Sequence, residues 1–225
     1  MINQVPLIRA NSWDEIAFGM PAWEILEYSE ESLKQAMLNL GHQTIKVEPL
    51  VNKRLLQEHG FFYCDTLIVP SCKKMMLRAV HHPDASILKS IDSAHALEIF
   101  HGSFTHGRFH RDFNLPKAAA DLRYDNWLKQ LIGAQQVYGL YWQDSLAGFI
   151  GYNENSLVLH AVAEKYRGKG LSKYWWSQVC AALLAKGHDE VQSSISATNL
   201  AALNLYASLG FSFRSPQDVY HRIVL

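Results

Sequence analysis

Between Leu157 and Lys186 the chain runs an apolar strand into a basic, glycine-rich turn and then into a long amphipathic helix. Leu171, Trp175, Val179 and Leu183 recur four apart, the spacing of a helix face turned to a core. Gly187 stands past its end, where a left-handed cap suits glycine. The turn reads Arg167-Gly168-Lys169-Gly170-Leu171-Ser172. Successive amides in such a turn point inward, and the helix start adds about half a positive charge. Gly168 and Gly170 let the backbone approach a ligand closely, while Arg167 and Lys169 add mobile countercharge. The predicted ligand is a diphosphate; the alternative is an ordinary glycine-containing turn with solvated basic residues. The string is neither a P-loop nor the three-glycine dinucleotide fingerprint.

The rest of the 225 residues alternates strand-like and helix-like stretches, so the predicted fold class is α/β. A hydrophobic share of 48% excludes a disordered chain. Before residue 70 we predict strands at 22–28, 44–47 and 61–69 and helices at 30–40 and 53–59. The stretch 71–84 is weakly organised, apart from a short strand at 75–80, and a boundary is placed there. Residues 1–80 then form a small N-terminal α/β domain and 85–225 a larger one. The larger one is predicted to hold helices after Asp92 or Ser93 and after Pro116, and strands at 137–142, 147–152, 157–162 and 191–196. A helix at 199–209 and a hairpin of 211–214 with 219–224 close it.

The 21 basic and 21 acidic side chains cancel, which argues against nucleic acid or an anionic membrane as partner. Cys64, Cys72 and Cys180 form neither a zinc spacing nor an even disulfide framework. No apolar run reaches the ~18 residues of a membrane span. Asn3, Gln4 and Pro6 start no signal-peptide core, so a soluble cytoplasmic protein is expected. Trp23, Trp142 and the N-terminal strands leave room for a homodimer interface.

Two further constellations carry chemistry. Asn199 and Tyr206 lie seven residues apart, almost two helical turns, and so share a helix face. A phenol with a reference pKa of about 10 suits protonation of a departing thiolate. The loop Phe104-Thr-His-Gly-Arg-Phe-His-Arg-Asp112 sets Phe104 and Phe109 for stacking on a planar base, and Arg108 and Arg111 for a phosphate. The alternative for both is ordinary packing: a core tyrosine, and a solvated loop anchored by its aromatic rings. His101, His106 and His110 fall in the same region without a companion cysteine, and no metal is expected.

Residues 85–225 resemble the GNAT N-acetyltransferase superfamily. Its loop pattern, Arg/Gln-x-x-Gly-x-Gly/Ala, is met at Arg167 and Gly170, with Ser172 as a small departure. The resemblance implies a mixed, mostly antiparallel central sheet, splayed at the cofactor and flanked by helices. It implies acetyl-CoA as co-substrate, its pyrophosphate on the amides of Arg167 to Ser172 and its pantetheine arm on the backbone of Ala161 and Val162. Asn199 then contacts the CoA arm, and Tyr206 is the general acid. The general base stays open among His160, a water chain, and an amine that reacts already deprotonated. Phe104…Arg108-Phe109, Tyr124, Trp127 and Trp13-Asp-Glu-Ile-Ala-Phe-Gly19 resemble, within that superfamily, bacterial N-acetyltransferases of TDP-4-amino-4,6-dideoxygalactose. That narrower resemblance implies a sugar-nucleotide acceptor in surface-polysaccharide synthesis. The alternatives are another small amine, a protein N-terminus, or a non-catalytic CoA-binding module.

Overall fold

The computed structural model describes residues 6–89, 91–105 and 107–225. In chain order they form β1 (Ile8–Ala10), α1 (Ser12–Phe18), β2 (Ala22–Ile25), α2 (Glu30–Ala36), β3 (Gly41–Val47), α3 (Arg54–Glu58) and β4 (Phe62–Lys73). There follow β5 (Ala85–Leu88), α4 (Ser93–Phe100), α5 (Lys117–Gly133), β6 (Val137–Trp142), β7 (Ser145–Asn153) and β8 (Ser156–Val162). The last elements are α6 (Ser172–Leu184), β9 (Glu190–Ser193), β10 (Ile195–Ser196), α7 (Leu200–Ser208) and β11 (Ser212–Val224). Among the described residues no helix is long and apolar enough to cross a membrane.

These elements belong to two compact units, each assembled from separated stretches. The first takes 6–67, 107–123 and 215–225, the second 68–89, 91–105 and 124–214. The sequence reading had divided the chain once, near residue 80. The structure interleaves it instead, because β4 and β11 each begin in one unit and end in the other.

In the first unit β2 pairs antiparallel with β1 and parallel with β3, and β3 pairs antiparallel with β11 from Asp218 to Val224. Its apolar core gathers Ile25, Leu33, Ala36, Ile45, Val47, Leu56 and Phe61. The larger core, in the second unit, is built around the fully buried Trp175, Tyr206, Phe100 and Phe149. Its sheet runs β4-β9-β8-β7-β6-β5, and β10 pairs with β4.

Two predicted breaks are continuous in the structure. Pro70 was expected to end a strand, yet β4 runs through it, and Ser71–Lys73 go on to pair with β9. Ser212–Val224 form one long strand rather than a hairpin. Ser215 (φ +50°) just before Pro216 kinks it locally, as a bulge does, without reversing the chain. The strand predicted at 75–80 is absent, and Lys74–Met76 form a 3₁₀ turn. Helix starts follow their caps: the Asp92 carboxylate accepts from the His95 amide (2.7 Å) and the Asn199 side chain from the Ala202 amide (3.1 Å).

Candidate active site

The site is built where the sheet of the second unit opens. β8 pairs with β7 along its whole length, to Val162, but with β9 only at Ser156 and Leu157. From Val158 onward its other edge has no strand partner among the described residues. Which groups that edge presents follows from ladder alternation. The Ala163 amide donates to Ala147 of β7 (2.8 Å), so Ala161 also turns its amide and carbonyl to β7, while His160 and Val162 turn theirs to the open side. The structure thus divides the expected pair. Val162 turns its amide and carbonyl to the open edge, where Arg167 already takes the carbonyl, while Ala161 turns its groups to the neighbouring strand.

Beyond Val162 comes the glycine-rich turn. Gly168 and Gly170 adopt φ of +72° and +68°, and a Cβ built on either would meet nothing within 4 Å. The turn therefore faces open space. Leu171 at the N-cap of α6 brings no side-chain acceptor; the Tyr174 amide donates to the Leu171 carbonyl (3.0 Å), which leaves the Ser172 and Lys173 amides for a ligand. Arg167 folds back, its Nε donating to the Val162 carbonyl (2.6 Å). Arg167, Gly168, Lys169 and Gly170 are exposed and Leu171 and Ser172 half-buried, as a surface anion site requires.

Close to His160 of β8, Tyr206 has 0% exposed surface. Its ring packs on Phe211 (4.8 Å between centroids), and its hydroxyl lies 3.5 Å from His160 Nε2, a long contact. Burial pushes the phenol above its ordinary value; Ser193 and the Trp176 indole pull it only part of the way back. Tyr206 is therefore protonated throughout the neutral range. His160 packs against Trp176 (5.1 Å), and desolvation pushes its pKa down to about 4. It is neutral at pH 7 and a weak base. Asn199 commits its side-chain oxygen to capping α7, which leaves its NH₂ group as the donor.

The depressed His160 pKa makes a stability prediction. Between its unfolded value near 6.5 and its folded value near 4, the unfolded chain binds the extra proton, so stability falls as pH drops through that window. Urea unfolding at pH 7 and pH 5 is expected to show a loss that shrinks by about 1–2 kcal/mol in His160→Gln. An equal pH dependence in the variant would show that this imidazole is not desolvated.

The candidate acceptor residues fare differently. Phe104, in the second unit, stacks on Tyr124 (4.7 Å, 17°) and lies against Phe149. Phe109, in the first unit, is 2% exposed; the Arg108 and Arg123 guanidiniums lie over its ring at 4.6 and 4.2 Å, and His221 stacks on it. It is a core residue, and the expected stacking on a ligand base is corrected for that reason. Arg111 donates to the buried Asp65 carboxylate (2.7 Å), which accounts for its position without a phosphate. His101 bonds to Asp125 (2.7 Å) and His110 to Asp121 (3.0 Å), and His106 lies outside the described residues.

An open strand edge running into a glycine-rich helix start without a side-chain cap suits an extended ligand that ends in a diphosphate. Residues 116–225 match the family model described as the acetyltransferase (GNAT) domain. That stretch is similar to GNAT acetyltransferase domains, and the match supports an acetyl-CoA-dependent acyltransferase. No curated protein sequence matches the chain. Among solved structures, a GCN5-related N-acetyltransferase from Sphaerobacter thermophilus is similar at a TM-score of 0.61 and 11% identity, over 97% of this chain and 78% of that one. A GNAT-family acetyltransferase from Colwellia psychrerythraea is similar at 0.54 and 16% identity, over 89% and 77%. A tandem GNAT protein of the clavulanic acid biosynthesis pathway is similar at 0.55 and 12% identity, over 91% and 75%. At such identities these likenesses establish the fold.

Proposed function

We propose that the protein moves acetyl from acetyl-CoA to a primary amine by direct attack, and that Tyr206 is its general acid. The observation that carries this is the Tyr206 hydroxyl held protonated beside the open edge of β8, the strand that leads into the Arg167–Ser172 turn. The amine nitrogen forms a bond to the thioester carbon, the carbon–sulfur bond breaks, and the phenol proton goes to the leaving sulfur. The proton lost by the amine goes to solvent, since a His160 of pKa about 4 accepts it poorly. We assign His160 the task of positioning the phenol.

For the acceptor we propose the amino group of a TDP-linked 4-amino-4,6-dideoxy sugar, within surface-polysaccharide synthesis. The support is the likeness of Phe104…Arg108-Phe109, Tyr124, Trp127 and Trp13 to Gly19 noted above. Phe104, stacked on Tyr124, is the aromatic group of that loop left near a surface. A screen of amine acceptors for acetyl-CoA-dependent release of free thiol tests it. Turnover is expected with TDP-amino sugars and not with simple alkylamines or peptide N-termini; the reverse order would overturn the assignment. Binding is tested apart from turnover. Acetyl-CoA at about 100 times its dissociation constant is expected to raise Tm by ~5–10 °C. No shift at millimolar ligand would refute the diphosphate site.

A further inference from the structure

We propose that His42, Asp112 and His221 form a binding site for one divalent transition-metal ion of the zinc type, in the core of the first unit and apart from the transfer chemistry. The three residues come from β3, from the segment ahead of α5 and from β11, and none is more than 2% exposed. His42 Nε2 and His221 Nδ1 converge on the same carboxylate oxygen, Asp112 Oδ2, at 3.2 and 2.9 Å. The three candidate ligand atoms all lie within 4.8 Å of one another.

Two ligands held about 2.1 Å from one ion at roughly 90–110° stand ~3.0–3.4 Å apart. Both imidazole-to-carboxylate separations lie at or near that range, so an ion could take the place of the bridging protons with little movement of either pair. Two neutral imidazoles and one carboxylate suit zinc, cobalt(II) or iron(II) better than calcium or magnesium, which prefer oxygen.

His42 Nδ1, His221 Nε2 and Thr44 Oγ1 are buried with no hydrogen-bond partner among the described residues. Thr44 is the cross-strand partner of His221 and lies two residues from His42, so all three side chains share one face of β3 and β11. The two imidazole orphans are the ring nitrogens opposite those that meet Asp112, so they would carry the N–H when the other nitrogen binds an ion. The surroundings are otherwise aromatic: Phe18 meets His42 edge-on at 5.0 Å, and Phe109 stacks on His221 at 5.3 Å. The Arg108 charge also bears on His221, so the carboxylate already has one cation nearby. The experiment therefore has to separate a metal site from a purely hydrogen-bonded cluster.

Protein purified without an affinity tag that binds metal is assayed by elemental analysis, then stripped with chelator and titrated with Co²⁺. One equivalent of metal per chain is expected, with visible d–d bands on cobalt addition that zinc abolishes. Zinc is expected to raise the Tm of stripped protein by about 5–10 °C. The double variant His42→Gln/His221→Gln is expected to lose the bands; since it could also lose the fold, the wild-type cobalt spectrum decides by itself. A chain that binds no cobalt, and whose Tm ignores both zinc and chelator, overturns the proposal. So does a folded double variant that binds cobalt as wild type does. None of these readouts uses acetyl transfer, so their failure leaves the transferase reading intact.

Discussion

Tyr206→Phe is expected to lower kcat for acetyl transfer about 100-fold or more, with KM for acetyl-CoA and Tm close to wild type. The substitution removes one hydroxyl and keeps the ring, so the contact with Phe211 and the filling of the core around Trp176 survive. Its contact with His160 Nε2 is long (3.5 Å), and losing the contacts with Ser193 and the Trp176 indole as well costs about 1 kcal/mol, a small shift in Tm. What goes is the proton. Without it the sulfur leaves as a bare thiolate, and a 100-fold loss corresponds to about 2.7 kcal/mol of transition-state stabilisation. The effect should fall on kcat because the phenol acts as the carbon–sulfur bond breaks, and binding of the CoA arm uses other groups. Single-turnover kinetics of the variant with a confirmed acceptor check it. An unchanged chemical step would leave Tyr206 as a core residue and return the acid role to solvent.

The split between what the sequence reading anticipated and what it missed has physical causes. The strand–turn–helix at Leu157–Lys186 was legible because every part of it is local. Alternation marks β8, two glycines mark positive φ, and a four-residue period marks α6. The pairing of Asn199 with Tyr206 on one helix was legible for the same reason. Pro70 misled because a missing amide is a break only where the ladder needs that amide, and the hairpin expected at 211–224 failed for the same reason at Pro216. In β4 and β11 it did not, so both strands run on and tie distant stretches into interleaved units. Phe109 misled in another way. A loop rich in arginine and aromatic residues has the composition of a ligand site, but here the guanidiniums cover a buried ring. The cluster at Asp112 could not be read at all, since its histidines stand 70 and 109 residues away and no spacing rule spans such gaps.

The second large effect is expected at Gly170. Gly170→Ala should raise KM for acetyl-CoA at least tenfold, with kcat at saturation little changed. The cause is not a clash within the protein, because a Cβ there meets nothing within 4 Å. A φ of +68° costs an alanine roughly 1 kcal/mol. Taken alone, that strain would destabilise the chain without touching affinity. The methyl group, however, projects into the open space before the α6 amides, where a diphosphate has to approach the backbone. Gly187→Ala separates the two effects. Gly187 has φ +101° and is equally free of neighbours, but it stands past the opposite end of α6. It should lower Tm by an amount similar to Gly170→Ala while leaving KM for acetyl-CoA alone. Matching Tm losses with divergent KM values place the acyl donor's diphosphate on this turn. Equal KM values in the two variants would mean that Gly168 and Gly170 serve only the reversal of the chain, and that the diphosphate is held elsewhere.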